Sequence, residues 1–438
     1  MQTQRPLSQG DYDHAVTMRI ERHELANGLD VCLLPNRSIP VVAVSLWYRV
    51  GSADEAPGRT GLAHLFEHLM FEGSLNVGKL EHFTLIQAAG GRANAATGMD
   101  RTFYYERLPA HQLELALWLE AERLAHLLDG LDQANLDNQR DVVRNERRFR
   151  IDNAPYGDAE ELLQSLVYPA AHPYAHDIIG SMEDLAGATL EDVHRFFEAY
   201  YSPSNAVLAI VGDIDAPSAF GMVERHFGGL PHGGISPPRV LPADAPARTG
   251  PVSFRVERRV SLPRVSISYP IPPLGSPLWE VSEVIADLLG RGRASRLYTT
   301  LVLAGRAQEV SAWTYPLLED PARLTMDVTG RVAGNIEDLA TAVVEELARL
   351  GDTGPSDAEL DRVRVLRRTE HAAQMERTQE MADRIGMYAS LLGAPERVNE
   401  ELARYEAMGR SEVRDFVSTF LIPDRRVQLT YVPDTRVR

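Results

Sequence analysis

Two histidines four residues apart, with a glutamate between them, are the residues of this chain whose types and spacing could do chemistry. They are His64 and His68, with Glu67 beside the second, in the segment His64-Leu65-Phe66-Glu67-His68. On an α-helix, residues i and i+4 lie on one face, so both imidazoles could bind the same zinc ion. The carboxylate of Glu67 would then be close enough to reach a water molecule on that metal. The order H-x-x-E-H reverses the commoner zinc-protease motif H-E-x-x-H.

The residues around this motif are mostly apolar, which argues against the alternative of two exposed histidines and a solvated glutamate. Three polar side chains buried there without partners would cost on the order of several kcal/mol, and a metal ion would supply the partners. Thr60 is the expected N-cap of the helix. The apolar neighbours are Leu62, Leu65, Phe66, Leu69, Met70 and Phe71.

The composition describes a large globular chain. With 438 residues and 44% hydrophobic content, it is too long for one ordinary domain, and two or more are expected. The net charge of −17 and the lack of any basic run disfavour nucleic-acid binding.

The chain contains a single cysteine, Cys32, which excludes an intrachain disulfide and a thiolate metal site. Its strand-like surroundings favour a buried structural thiol, so any metal must be bound by His, Glu or Asp. No apolar stretch reaches the 18 residues that would indicate a membrane span, and a soluble protein is expected. The segment Met1 to Val16 is polar and is not a signal peptide as written. A signal removed earlier would still be compatible with this sequence, so a bacterial-type periplasmic or cytoplasmic location stays open.

Apolar periodicity predicts elements that could position the motif. Strands are expected at residues 29–34, 41–50, 102–108 and 206–211, and later at 265–270 and 426–431. Helices are expected at 113–128, at about 132–150 and at about 279–289.

The second part of the chain repeats the order of elements of the first. A segment rich in Gly and Pro divides the sequence almost in half and is the best linker candidate. The predicted limits are 1–228 for a metal-binding catalytic domain, 229–250 for the linker, and 251–438 for a homologous domain without metal. The predicted fold class is α+β, with two similar halves that each pack helices on a mostly antiparallel sheet.

Catalytic zinc needs a third protein ligand besides two histidines. The helix that contains Gln139 to Glu146 is the place to look, because Val142 and Val143 would turn one face of it to the core. Periodicity alone does not choose Glu146 over Asp141.

His64-Leu65-Phe66-Glu67-His68, followed after 77 residues by Glu146, resembles the M16 (pitrilysin-type, inverzincin) metallopeptidases. The length resembles the shorter M16B subfamily, which includes mitochondrial processing peptidase subunits and bacterial relatives. Further segments resemble the family along nearly the whole chain: Asn27-Gly28-Leu29, Phe71-Glu72-Gly73-Ser74, Asp100 to Tyr104, Arg140 to Glu146, His172-Pro173-Tyr174, Ile179-Gly180, Tyr200 to Ala206 and Val211-Gly212-Asp213.

The resemblance implies a zinc endopeptidase with one zinc ion per chain. His64, His68 and Glu146 would be the metal ligands, and Glu67 the general base that takes a proton from the zinc-bound water. Asn94, Ala95, Ala96 and Thr97 would bind an extended peptide as an added strand. An ordinary polar turn is the alternative for these four residues.

The sequence departs from the family pattern at two places. Gln139 stands where many members have a glutamate seven residues before the distal ligand, which would retune the metal site. An Arg and a Tyr that bind substrate in active members are expected at positions occupied here by Val302 and Glu309.

The missing pair predicts a heterodimer, in which this chain holds the metal and a homologous partner subunit supplies the Arg and the Tyr. The alternative is a structural or assembly subunit that has lost activity, as in respiratory-complex core proteins of this family. A non-proteolytic zinc hydrolase is a third and weaker hypothesis. The intact set of His64, Glu67, His68 and Glu146 favours the peptidase.

Overall fold

The computed structural model describes residues 17–239, 241, 250–319, 321–331 and 335–434. The segment 1–16 and most of the Gly- and Pro-rich linker region beyond residue 239 therefore lie outside the described residues. The described chain forms two sheets, each packed with helices, in agreement with the predicted fold class.

The first sheet has six strands in the order β1-β2-β6-β3-β5-β4. Its strands are β1 (Glu21–Glu24), β2 (Asp30–Pro35), β3 (Val41–Tyr48), β4 (Arg92–Thr97), β5 (Thr102–Pro109) and β6 (Ala206–Gly212). The second sheet has five strands in the order β7-β11-β8-β10-β9. They are β7 (Val252–Arg258), β8 (Arg264–Ile271), β9 (Ala307–Tyr315), β10 (Ala322–Gly330) and β11 (Val427–Pro433).

The two sheets repeat one topology. In each, one pair of neighbours is parallel, β2 with β6 and β7 with β11, and every other pair is antiparallel. The order β2-β6-β3-β5-β4 corresponds strand by strand to β7-β11-β8-β10-β9. The expected similarity of the two halves is therefore present in the fold, while the exact domain limits stay a prediction.

Eight helices belong to the first half of the described chain and six to the second. The first eight are α1 (Leu62–Leu69), α2 (Glu81–Ala88), α3 (Leu113–Gly130), α4 (Gln133–Arg147), α5 (Ala159–Val167), α6 (Met182–Gly187), α7 (Leu190–Tyr200) and α8 (Ala216–Phe227). The last six are α9 (Trp279–Gly290), α10 (Ile336–Thr353), α11 (Asp357–Met375), α12 (Thr378–Leu392), α13 (Arg397–Ala407) and α14 (Arg410–Phe420). None of the described helices is long and apolar enough to cross a bilayer.

Each sheet is covered on one face by helices of its own half and on the other by a helix from the opposite half. Helix α12 packs on β3 and β6 of the first sheet, whereas α5 packs on β11 and β8 of the second. The α12 contact buries Trp47 and Phe103 against Ile385, and Cys32 lies in the same apolar cluster. Burial raises the pKa of the Cys32 thiol to about 12, which agrees with a structural role.

We expect the contact between α12 and the first sheet to tolerate no added side chain at Gly386. A Cβ there would lie 2.4 Å from Trp47 Nε1, so Gly386→Ala should lower the free energy of unfolding by about 1–3 kcal/mol. Gly221→Ala in α8 is the matched control, because a Cβ there has no neighbour within 4 Å. It should raise stability by about 0.5–1 kcal/mol. Denaturant unfolding of both variants measures the difference, and equal effects would contradict this account of the interface.

Candidate metal centre

Helix α1 carries His64, Glu67 and His68 into the space between the first sheet and α4. The remaining side chains of α1, including Leu65 and Phe66, are buried in the first core. The two imidazole rings lie 4.9 Å apart, centroid to centroid. The helical spacing of the motif therefore brings both rings to one face, as the sequence predicts.

The N-terminus of α1 is capped by Glu55 and not by Thr60, so the predicted cap is wrong. The buried carboxylate of Glu55 accepts hydrogen bonds from the backbone N–H groups of Gly61, at 2.8 Å, and Ala63, at 2.7 Å. The hydroxyl of Thr60 instead donates to Asp184 at 2.6 Å. A carboxylate at a helix N-terminus satisfies unpaired donors and stabilises the helix dipole.

A contact between two glycines fixes the start of α1 against the loop before α6. Gly61 has φ of +87° and Gly180 has φ of +69°. A Cβ on Gly180 would lie 2.2 Å from the backbone nitrogen of Gly61. Only glycine fits at both positions, and the loop that precedes Gly180 consequently lies beside the metal-binding face.

Helix α4 brings Glu146 to the two histidines. Its Oε2 lies 3.3 Å from His68 Nε2 and 3.8 Å from His64 Nε2. Val143 is buried on the core side of α4, but Val142 is 40% exposed, so the expectation that both valines face the core is wrong for Val142. Asp141 points to solvent and pairs with Arg144, which leaves Glu146 as the acidic residue of this helix at the site.

The three side chains fit a zinc ion. Their donor atoms, two imidazole nitrogens and one carboxylate oxygen, all lie within 4.8 Å of one another. This is a donor set that zinc takes in catalytic sites, where a fourth position stays open. Burial and the neighbouring His68 lower the pKa of His64 to about 4, so His64 is neutral, as a ligand must be. The hydrogen bond to His68 lowers the pKa of Glu146, which keeps its carboxylate charged.

The side chain of Glu67, which belongs to α1, lies beside the C-terminal end of the edge strand β4. Thr97 donates its hydroxyl to Glu67 Oε2 at 2.5 Å. Burial raises the pKa of Glu67, although the hydrogen bonds from Thr97 act in the opposite direction. The structure thus gives Thr97 a contact with the predicted base itself, a contact that sequence reasoning did not anticipate.

A cleft of about 520 Å³ contains all of these groups and the backbone of β4. Asn94, Ala95, Ala96 and Thr97 form part of a strand and not a polar turn. Strand β4 is the last of its sheet, and its outer side pairs with no described strand. The other lining residues are His64, Glu67, His68, Glu146, Arg150, Ile151, Asp177, Ile178 and Ile179.

The backbone changes from α-helical to π-helical after Arg147, one residue beyond Glu146. The predicted helix at 132–150 therefore ends at Arg147 and continues as a wider turn at Arg148–Asp152. This turn carries Arg150 into the cleft, where Nη1 lies 2.6 Å from Glu146 Oε1. Arg150 was missed by sequence reasoning, although its position four residues after Glu146 is a helical ion-pair spacing.

A second cavity of about 1080 Å³ adjoins the cleft and shares Ile151 and Asp177 with it. Arg258, Arg259 and Val260 of the second half contribute to its wall. The metal cleft itself is different, because all of its described lining residues come from the first half. Val302 packs against the second core, and Glu309 lies on β9 with its side chain 70% exposed.

Comparison with known proteins identifies the family. The model described as Insulinase (Peptidase family M16) matches residues 31–171, and the model described as Peptidase M16 inactive domain matches residues 187–365. The zinc protease PqqE of Helicobacter pylori is 30% identical over 381 residues, which cover 85% of this chain and 84% of that protein. The chain belongs to peptidase family M16.

Other proteins similar to this M16 chain are also named proteases. A crystal structure of a protease from Helicobacter pylori has a TM-score of 0.90 at 26% identity and covers 95% of this chain and 100% of its own. The Bacillus subtilis protein named uncharacterized zinc protease YmxG is 24% identical over 418 residues, 94% of this chain and 98% of that protein. These names support a peptidase-type function and zinc as the metal.

Gln139, where this M16 chain differs from the family pattern, contacts the carboxylate of Glu72. Gln139 is buried and donates to Glu72 Oε1 at 2.6 Å. Glu72 also accepts from Asn135 at 3.0 Å and pairs with Lys79 at 2.7 Å. Burial lowers the pKa of His68, but Glu146 raises it above the usual value, with smaller contributions from Glu67 and from a hydrogen bond to Gln139. The Gln139 side chain therefore lies between His68 and Glu72. A second carboxylate at position 139 would face Glu72 directly.

A second group of His and Glu side chains, His82, Glu106 and Glu120, lies buried behind Phe71. Here Arg123 already supplies a cation, because its Nε donates to Glu120 at 2.9 Å and its Nη2 lies 3.9 Å from Glu106. Burial and Arg123 lower the pKa of His82 to about 3. We therefore interpret this group as an internal ion-pair network and not as a metal site.

Gln139→Leu should weaken zinc binding about 10–100-fold, because it removes the hydrogen bond that orients His68 and leaves Glu72 without one donor. A competitive titration with a zinc chelator measures the dissociation constant. Gln133→Leu is the control, since Gln133 lies on the same helix but donates its side-chain hydrogen bond to Asp137 at the surface. An unchanged dissociation constant in the Gln139 variant would show that Gln139 does not support the ligand.

Proposed function

We propose that this chain is a zinc-dependent endopeptidase that hydrolyses extended peptides, with one zinc ion bound by His64, His68 and Glu146. The observation that carries the proposal is the convergence of these three side chains beside Glu67. The oxygen of Glu146 is 3.3 and 3.8 Å from the two ring nitrogens. Two imidazole nitrogens and a carboxylate oxygen that converge in this way form a donor set that a divalent cation can bind.

Zinc at this position would polarise the scissile carbonyl group and acidify the attacking water. Glu67 accepts the proton of that water and returns it to the leaving amine. Thr97 holds the Glu67 carboxylate in one orientation through its hydroxyl. Burial raises the pKa of Glu67 and so brings the carboxylate closer to the basicity that proton transfer near neutral pH requires.

The substrate binds in extended form along the outer side of β4. The free backbone groups of this edge strand support that mode, since peptides add to exposed sheet edges through main-chain hydrogen bonds. Ala95 and Ala96 are small, which leaves room for the peptide beside Glu67. The shared wall at Ile151 and Asp177 would let the peptide continue into the larger cavity.

A homologous partner subunit completes the site in this proposal. Support comes from the lining of the cleft, to which no described residue of the second half contributes. Val302 and Glu309 stand at the positions where the family resemblance predicts an Arg and a Tyr. Groups that stabilise a developing oxyanion typically contribute about 2.7–4 kcal/mol, so their supply by a second chain would be a large gain in rate.

The same observation favours one alternative, a structural or assembly subunit without activity. The two functions differ in whether they require Glu67 as a base. A structural subunit needs no base beside a metal site, and its assembly would not depend on the charge of that residue.

Glu67→Gln should retain zinc and lower kcat/KM for peptide hydrolysis about 10²–10⁴-fold, because the amide cannot accept the proton. Metal analysis and hydrolysis of a fluorogenic peptide measure the two properties. Glu183→Gln, an exposed change at the start of α6, is the control and should leave both unchanged. Full hydrolysis by a zinc-loaded Glu67→Gln protein would make the assignment of the base wrong.

The isolated chain should bind zinc yet hydrolyse peptides slowly. Addition of a homologous M16 chain that carries the Arg and the Tyr should raise the rate about 10²–10³-fold. Size-exclusion chromatography with light scattering would detect the complex in parallel. High activity of the chain alone, unchanged by any partner, would exclude the heterodimer.

A further inference from the structure

The turn at residues 98–101 joins β4 to β5 and is fixed between the two halves. Asp100 accepts hydrogen bonds from the hydroxyl of Tyr174, at 2.6 Å, and from the backbone N–H of Leu318, at 2.9 Å. Arg239 Nη1 pairs with the same carboxylate at 2.5 Å. The residue that follows Asp100 is therefore held on a rigid support next to the edge strand.

That residue is Arg101, whose guanidinium contacts aromatic rings but no acceptor among the residues that the structure describes. Its guanidinium lies over the rings of Trp47, at 5.0 Å, and Phe103, at 4.7 Å. Its Nη1 is buried and has no hydrogen-bond acceptor, and Arg101 forms no ion pair with any residue the structure describes. Arg239 differs, because both Asp54 and Asp100 bind its guanidinium. The aromatic contacts thus hold the Arg101 guanidinium in place without satisfying its donors.

The carboxylates near Arg101 are already engaged elsewhere. Asp383 accepts from Ser45 at 2.7 Å and from Gln379 at 2.8 Å. Glu67 accepts from Thr97, and Asp100 binds the partners described above. Burial lowers the pKa of Arg101, whereas Tyr315 and these carboxylates raise it, which leaves a charged side chain with open donors. A buried polar group of this kind is costly until a ligand or water pairs with it.

Arg101 lies close to the proposed path of the peptide. Thr97, which contacts Glu67, is paired with Thr102 across the hairpin. The Arg101 side chain extends over Gly98, where a Cβ would be 3.6 Å from its Cγ and 3.8 Å from its Cζ. Only a glycine therefore separates the end of β4 from the guanidinium. The segment after β9 reaches this turn from the second half, since Leu318, three residues beyond the end of β9, donates its backbone N–H to Asp100.

We propose that Arg101 forms a subsite that binds a carboxylate of the peptide substrate within a few residues of the bond to be cleaved. The carboxylate is either an acidic side chain or the C-terminus of a short peptide. A planar guanidinium binds such a group through two parallel hydrogen bonds. This inference rests on the proposed function and adds a substrate class to it.

Peptide binding to the Glu67→Gln protein tests the subsite without turnover. A fluorescent peptide is prepared with Gln or Glu at each position near the scissile bond, and each version with a free or an amidated C-terminus. Fluorescence anisotropy should show about 10-fold tighter binding for the carboxylate form at one position. Preference for Glu over Gln identifies a side chain, and preference for the free acid over the amide identifies the C-terminus.

In the same Glu67→Gln background, Arg101→Gln should reduce that ratio to about one, and Arg101→Lys should restore part of it. Arg107→Gln is the matched control, because Arg107 lies on β5, the strand that follows Arg101, but beside Ala43 and Arg92 and away from Glu67. Equal affinities for all peptides, or equal loss of preference in the Arg101 and Arg107 variants, would overturn the subsite. Thermal unfolding verifies that the Arg101→Gln protein is folded. If it is not, the Arg101→Lys protein decides the question, since its ratio should fall below that of the protein with Arg101 intact, and an unchanged ratio would overturn the subsite.

Hydrolysis of the Gln-containing, amidated peptide by the zinc-loaded protein with its partner tests the proposed function separately. Cleavage of this peptide without a carboxylate preference would leave the peptidase intact and remove only the subsite. No cleavage of any peptide would remove the peptidase, while the binding preference would still be measurable.

Discussion

The approach of Glu146 to His64 and His68 is the interaction on which the rest of the site depends. It joins α4 to α1 across 77 intervening residues, so both helices must hold their register to within a fraction of a turn. The supports described above serve that register. Glu55 and the contact of Gly61 with Gly180 fix α1 at its start, and the Gln139–Glu72 pair fixes His68 from behind. A site of this kind depends on side chains held by rigid elements more than on any single ligand.

The two halves share a topology but use the equivalent helix differently. Helix α9 follows β8 as α1 follows β3, and its acidic residues are bound by arginines. Glu280 pairs with Arg397 at 2.7 Å, and Asp287 pairs with Arg367 at 2.6 Å. The second half thus offsets the charge of its buried carboxylates internally, whereas the first half leaves two imidazoles and a carboxylate facing a cleft. Identical architecture therefore carries no implication of identical chemistry.

Local spacing explains what could be predicted from the sequence. The i and i+4 positions of His64 and His68 decide their common face, and β-branched runs predict the strands of the first sheet. The choice of Glu146 over Asp141 needed the family resemblance, because both lie on one amphipathic helix. Glu55, Glu72 and Arg150 were missed, since their roles depend on how distant segments and a π-helical turn meet. Val142 shows the limit of hydrophobicity alone, as an apolar side chain can face solvent when its helix turns a different face to the core.

The exchange of helices between the halves has a consequence for the order in which the chain folds. The face of the first sheet that contains Trp47 and Phe103 is covered by α12, which is made near the end of synthesis. During translation this apolar surface stays exposed until α12 has been synthesised. Helix α5, in contrast, is made before the sheet on which it packs. We therefore expect the first half not to fold on its own, despite its complete sheet and intact motif. A fragment cut at the linker would expose this apolar face to chaperones and to other copies of itself.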